Sequence, residues 1–203
     1  MTETDRPPAE ALARVTEAGA LAAARAMGHG NGADADRRAV DAMRATLDEV
    51  ELRGRIVIGE GERDEAPMLY IGETVGPKSG TSFDIAVDPL EGTNLVASGQ
   101  PNAVSTMAIS ETGGLLNAPD TYMEKLIVGP PAAGKVNLDY SVDKNLRIIA
   151  EALRRRVSDL TVVVLDRPRH ESLIHDIRRS GARIKLIGDG DLTAAVSVAV
   201  AGT

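Results

Sequence analysis

The chain has 203 residues, 43% of them apolar and 26% charged, with 23 basic and 30 acidic side chains and a net charge of −7. That composition suits a soluble globular protein with one substantial core or two small ones, and an acidic balance spread along the chain argues against nucleic acid as a partner. The absence of cysteine excludes a disulfide framework, thiolate chemistry and a Cys-based zinc site, so any metal must be held by oxygen or by one of three histidines.

Residues 1–8 are polar and proline-containing and are expected to form a disordered tail. No basic start leads into a long apolar segment, so neither secretion nor a membrane span is indicated and a cytoplasmic protein is expected. From Glu10 to Met27, Leu12, Val15, Ala22 and Ala26 recur at near-helical spacing. Gly28 to Gly32 interrupts this helix, and Val40, Met43, Leu47 and Val50 mark a second one ending near Gly54. Ile56 to Ile58 reads as a short buried strand. Phe83 to Asp88 reads as another, with Asp84, Ala86 and Asp88 on one face and Ile85 and Val87 on the other. Gly113-Gly114, flanked by Ala103 to Ser110 and Leu115 to Asn117, is a hairpin signal, whereas Tyr122 to Val128 fits strand or helix equally. Beyond Lys144 the pattern is helix (Lys144 to Val157), strand (Leu160 to Leu165), helix (Ser172 to Ser180), strand (Arg183 to Ile187). This β-α-β order predicts parallel strands whose carboxyl ends, Asp166 to His170 and Gly188 to Asp191, face a ligand. The closing run Leu192 to Ala201 is almost wholly apolar yet too short for a bilayer, which suggests a chain ending inside a domain.

The densest chemical signal is Asp88-Pro-Leu-Glu-Gly-Thr93, where a strand ends and a helix could begin. One reading is a capping box, with Asp88 as N-cap, Pro89 first in the helix and Glu91 third. The other is that Asp88 and Glu91 on one turn bridge a hard cation while the amides of Gly92 and Thr93 hold a phosphate oxygen. A second acidic turn, Gly59-Glu-Gly-Glu-Arg-Asp-Glu65, follows the Ile56 to Ile58 strand. Alone it would be a solvated loop, but two strands each ending in a carboxylate-rich, glycine-containing turn are what a shared cation site requires. Asp36 is a third carboxylate, four residues before Val40 at the start of the apolar stripe, where a plain helix N-cap is the alternative. Carboxylates gathered in one cleft need divalent cations to offset their repulsion, and an all-oxygen set favours magnesium or manganese. Arg167-Pro168-Arg169-His170 suits a phosphate, and Asp189-Gly190-Asp191 suits a sugar hydroxyl.

With those residues in view, the sequence resembles the class II fructose-1,6-bisphosphatases, relatives of the magnesium- and lithium-sensitive sugar phosphatases. The resemblance runs from about Arg14 to Val200 and is carried by Gly59 to Glu73, Asp84 to Thr93 and Asn117 to Pro130. It implies an α/β fold with layered α-β-α-β-α architecture, a metal-binding phosphatase half over residues 9–143 and an incomplete second half over 144–203. It implies that Asp36, Glu60, Asp88 and Glu91 bind manganese or magnesium, and that Glu91, Gly92 and Thr93 meet the scissile phosphate. Tyr122, Arg167 to Arg169 and Asp189 to Asp191 would bind the rest of the sugar bisphosphate. The implied reaction is hydrolysis of the 1-phosphate of fructose 1,6-bisphosphate in gluconeogenesis, with Thr93 and either Glu60 or Asp84 orienting and deprotonating the water. Sedoheptulose 1,7-bisphosphatase or inositol monophosphatase activity is the enzymatic alternative, and a non-catalytic sugar-phosphate binding fragment the other. Family members continue past Thr203 with a Pro-Glu-Gly step whose glutamate is a further metal ligand, a segment not contained in these 203 residues. A homo-oligomer is expected on base rates for metabolic enzymes.

Overall fold

Two helices, α1 (Ala9–Ala24) and α2 (Gly32–Leu47), open the chain and lie against a four-stranded sheet of β1 (Arg53–Ile58), β2 (Thr74–Val75), β3 (Ser82–Glu91) and β4 (Val104–Glu111). The structure is a computed structural model and describes residues 9–61, 67–77, 81–116 and 121–199. The chain divides into two compact units, Met1–Thr121 and Tyr122–Thr203. Both mix helix and strand, in keeping with the α/β class expected from the sequence.

In the first unit the strand order is β2-β1-β3-β4, with β1 and β3 parallel and the outer pairings antiparallel. Alternation along the strands decides which face is buried. Ile56, Phe83, Ile85 and Val87 join Val15 of α1 and Val40, Met43 and Leu47 of α2 in one core, as period-2 and period-3.6 apolar patterns meeting face to face require. Asp84, Ala86 and Asp88 point to the other face, away from the helices. A short helix, α3 (Thr93–Ala97), follows β3 directly and packs Val96 with Ala35 and Ala39 of α2.

Several expectations change in detail. The second helix starts at Gly32, capped by Asn31, whose side chain accepts from the Asp34 N–H at 3.0 Å; Asp36 is therefore the fifth helical residue and not a cap. The capping-box reading of Asp88 also fails, because β3 runs on through Glu91 and Gly92 precedes the helix. Around Gly113-Gly114 there is no hairpin among the described residues. Here β4 pairs back to β3, Leu115 and Leu116 form no strand, and Asn117 lies outside the described residues.

The second unit contains α4 (Val142–Leu153), β5 (Thr161–Leu165), α5 (Glu171–Arg179), β6 (Arg183–Ile187) and α6 (Asp191–Ala199). Tyr122 to Val128, left open by periodicity, has no regular structure. Strands β5 and β6 are parallel and in register from Thr161↔Arg183 to Leu165↔Ile187, so the predicted β-α-β unit is present. Leu146, Ala150, Leu160, Val164, Ile174, Ile177 and Ala182 form its core. The apolar run after Gly190 folds as α6 to Ala199, and residues 1–8 and 200–203 lie outside the described residues. Among the described residues no helix is long and apolar enough to cross a membrane.

Residues on opposite faces of the paired strands β3 and β4 give a direct test of this facing. Ile85 is fully buried on the helix side, whereas Ala108 of β4 is exposed on the other. Ile85→Ala is expected to lower unfolding free energy by about 2–5 kcal/mol and Ala108→Ser by less than about 0.5 kcal/mol, read from urea midpoints at unchanged m-value.

Candidate active site

Because β1 and β3 are parallel, their carboxyl ends lie at one edge of the sheet, the usual place for ligands in open α/β sheets. Two bulges decide which side chains meet there. On β1 the register passes from Ile56↔Ile85 to Ile58↔Ala86, so Val57 is the extra residue. Two residues past the end of β1, Glu60 is near enough to Asp88 for their charges to interact. On β3 the register passes from Asp88↔Thr106 to Glu91↔Val104, leaving Pro89 and Leu90 opposite Ser105 alone. Residues three apart on a regular strand face opposite sides, but with one extra residue Asp88 and Glu91 face the same side, like Thr106 and Val104. Pro89 has no N–H to lose from the ladder at this point, and its carbonyl accepts from the Ser105 hydroxyl at 2.6 Å. The two carboxylates named from the sequence are thus brought together by a bulge in a strand, not by a helical turn.

Two glycines are required here. A Cβ on Gly59 would stand 2.0 Å from the Leu69 carbonyl oxygen, which accepts the Glu60 N–H at 3.0 Å as the chain turns back. Gly92 has φ +89°, and a Cβ there would lie 3.0 Å from Leu95 Cδ1 and 3.3 Å from the Ala103 Cα; both strain and crowding exclude a larger residue. Gly92 turns the chain from β3 straight into Thr93. The Thr93 hydroxyl donates to the Leu90 carbonyl at 3.0 Å, and Asp88 Oδ1 accepts from the Leu90 N–H at 3.1 Å. With its proton committed, Thr93 Oγ1 keeps its lone pairs to accept a hydrogen bond.

From α2, Asp36 reaches the same edge and shares a hydrogen bond with Glu60. Burial raises the Glu60 carboxyl from its ordinary 4.5 to about 7, helped by the charges of Asp36 and Asp88 and by that hydrogen bond. Burial also raises Asp36, less the relief it gains by accepting from Glu60. Below about pH 7 the proton of this pair is therefore held by Glu60, whose interacting neighbours Asp36 and Asp88 come from two other elements. Among the described residues no group of three or more His, Asp or Glu side chains is closed around a single point as a ligand set. The donors nonetheless fit a hard divalent cation, being all carboxylate oxygen and already holding a positive particle, the Glu60 proton, between them.

Asp84 is not brought to this group. It lies four residues before Asp88, roughly 13 Å along the strand, where it accepts from the Gly113 N–H at 2.7 Å and faces Arg55 at 3.8 Å. Glu62 to Glu65 of the acidic turn lie outside the described residues. In the second unit, the Asp166 N–H donates to the Ile187 carbonyl at 2.8 Å, holding the loops after β5 and β6 side by side. The Arg167 and Asp189 loops therefore share one edge, Arg167 Nη1 donating to the Asp166 carbonyl at 3.1 Å. Pro168 opens a single 3-10 turn, and Gly190, with φ +83°, leads into Asp191 at the start of α6. The Arg169 guanidinium lies 4.5 Å from the centre of the exposed Tyr122 ring. Sequence spacing did not point to Tyr122; this contact is the physical reason it stands with the arginine loop.

Residues 7–203 match the family model described as bacterial fructose-1,6-bisphosphatase, glpX-encoded. The chain belongs to this family. It is 57% identical to a protein of a Synechococcus species named D-fructose 1,6-bisphosphatase class 2/sedoheptulose 1,7-bisphosphatase, the match covering 95% of this chain and 59% of the relative. Proteins of the same name from Synechococcus elongatus and Gloeobacter violaceus are 54% and 52% identical over the same shares. The chain thus spans 59% of the length of these curated relatives.

The Glu60 proton has a measurable consequence in protein stripped of divalent cations. Below about pH 4.5 folded and unfolded chains both carry it, but above that only the unfolded chain releases it until the pH passes about 7. Its contribution is therefore a loss of stability between pH 4.5 and 7. Glu60→Gln should flatten this part of the profile, checked by urea midpoints of the two proteins at pH 5 and pH 8 in chelator.

Proposed function

We propose that this chain carries the metal-binding half of a class 2 fructose-1,6-bisphosphatase, hydrolysing the 1-phosphate of fructose 1,6-bisphosphate to fructose 6-phosphate and phosphate. The observation that carries this reading is the convergence of Asp36, Glu60 and Asp88 on one desolvated edge, beside Glu91, Gly92 and Thr93. In this reading Asp36, Glu60, Asp88 and Glu91 hold manganese or magnesium, which when bound supplies charge neutralisation at the phosphoryl oxygens and a more acidic water. The glycine turn at Gly92 brings the backbone close to the phosphate, and Thr93 Oγ1 accepts from the attacking water and orients it. Glu60 takes the proton; the base role offered to either Glu60 or Asp84 falls to Glu60 because Asp84 is engaged elsewhere. Tyr122, the Arg167 to Arg169 loop and the Asp189 to Asp191 loop bind the remainder of the sugar phosphate, arginine suiting its anionic oxygens and aspartate its hydroxyls. The work is done in the cytoplasm by a homo-oligomer.

The dual name borne by the relatives makes sedoheptulose 1,7-bisphosphate the second substrate to assay. Phosphate release from both bisphosphates is measured with manganese, with magnesium and with chelator. Release is expected to require the cation, and Thr93→Ala to lower kcat about 100-fold, with Glu91→Ala raising the manganese concentration required. Tight, cation-dependent binding of fructose 1,6-bisphosphate without turnover would instead favour a sugar-phosphate binding protein.

A further inference from the structure

Behind the carboxylates lies a buried ion pair with no direct part in the chemistry just described. Arg44, on α2, places Nε 2.5 Å from Glu73 Oε1 and Nη1 2.6 Å from Asp48 Oδ2. Asp48 in turn accepts the Gly76 N–H at 3.3 Å. The other oxygen of Glu73 accepts the N–H of Leu69. Leu69 is fully buried at φ 56°, a left-handed conformation that a leucine keeps only where its surroundings hold it. The carbonyl of this same residue accepts the Glu60 N–H. The Glu73 backbone is fixed as well, since its carbonyl accepts the Ile56 N–H at 2.9 Å and the Ile56 carbonyl accepts the Gly72 N–H at 2.8 Å.

These contacts form a chain from α2 to Glu60: Arg44, Glu73, the Leu69 peptide groups, the Glu60 amide. Helix α2 also carries Asp36, two turns before Arg44 and about 12 Å along its axis. One rigid helix thus sets both members of the Asp36–Glu60 pair, the first directly and the second through an ion pair. We propose that the Arg44–Glu73 pair is a positioning device for the cation site, holding the Glu60 turn at the distance from Asp36 that a shared divalent ion requires. The inference rests on the reading of Glu60 as a cation ligand. Ligand-orienting partners of this kind govern metal affinity although they never touch the metal. Arg44 and Glu73 are 29 residues apart and neither was singled out by spacing.

The test is manganese affinity, followed by electron paramagnetic resonance of the free ion, in a two-by-two set: the unaltered chain, Glu73→Gln, Glu60→Gln and the double variant. All are measured well below the melting temperature of each, as read by circular dichroism. Glu73→Gln keeps size but removes the charge opposite Arg44, and is expected to raise the manganese Kd about tenfold or more. In the Glu60→Gln background the same change is expected to have no further effect, since the ligand it positions is gone. Arg44→Lys keeps a cation beside Glu73 without the two-pronged hold on Glu73 and Asp48. It gives the same test in a protein less open to misfolding, with a several-fold loss that also vanishes when Glu60 is glutamine. A lower melting temperature with unchanged manganese affinity, or an equal loss in both backgrounds, overturns the proposal and leaves the pair merely structural. If Glu60→Gln alone does not weaken manganese binding, the ligand reading of Glu60 fails, a result separate from the other two.

Discussion

Two carboxylates drawn to about 4 Å at a protein surface repel by about 4 kcal/mol, and removing them from water adds to that cost. Asp36, Glu60 and Asp88 are nevertheless held in one neighbourhood, and much of the first unit can be understood as the means of holding them. Helices α1 and α2 seal one face of the sheet with an apolar core, so the sheet edge cannot relax away from α2. The bulge in β3 turns Glu91 onto the side of Asp88. Gly59 admits the returning Leu69 backbone, without which the Glu60 amide would lose its acceptor. A proton on Glu60 relieves the repulsion where no cation does so.

Such an arrangement is poised between two ways of neutralising itself. A carboxyl near neutrality exchanges its proton for a divalent ion at little net cost, because both particles answer the same repulsion. Asp34 shows the contrast. On the same helix, only two residues before Asp36, it is bonded to Arg37 and Arg38, which hold its carboxyl below the usual range. Asp34 is a solvated helix-face acid with its counter-charges supplied by its own sequence. Asp36 instead shares its hydrogen bond with Glu60, a residue from another part of the fold.

What the sequence made legible follows from this difference. Periodicity located both opening helices, the β1 and β3 strands and the β-α-β order of β5, α5 and β6, because each buries one face against a core. Composition and repetition picked out Asp88, Glu91, Glu60 and Asp36, but the helical-turn geometry drawn for Asp88 and Glu91 was wrong in kind. A helical turn and a β-bulge both bring residues three apart to one side, and Asp-Pro-Leu-Glu looks like a capping box to any rule that reads only neighbours. The bulge becomes visible only with the register against β4, where Ser105 faces two residues. The same limit hides Arg44 and Glu73, whose pairing depends on how α2 crosses the sheet, and it allowed Asp84, on the same face as Asp88, to pass for a neighbour of the site.

Charge is divided between the units more sharply than the total of −7 suggests. Residues 1–121 hold 20 acidic and 10 basic side chains, a net −10, whereas residues 122–203 hold 10 acidic and 13 basic, a net +3. A field of −10 gathers divalent cations and repels other anions. On the function proposed above, both phosphates of the substrate would need positive charge, which that proposal assigns to cations held by the carboxylates for one and to the arginines after β5 for the other. Guanidinium groups are ionised at every physiological pH, whereas the charge of a carboxylate cluster depends on pH and on bound cations.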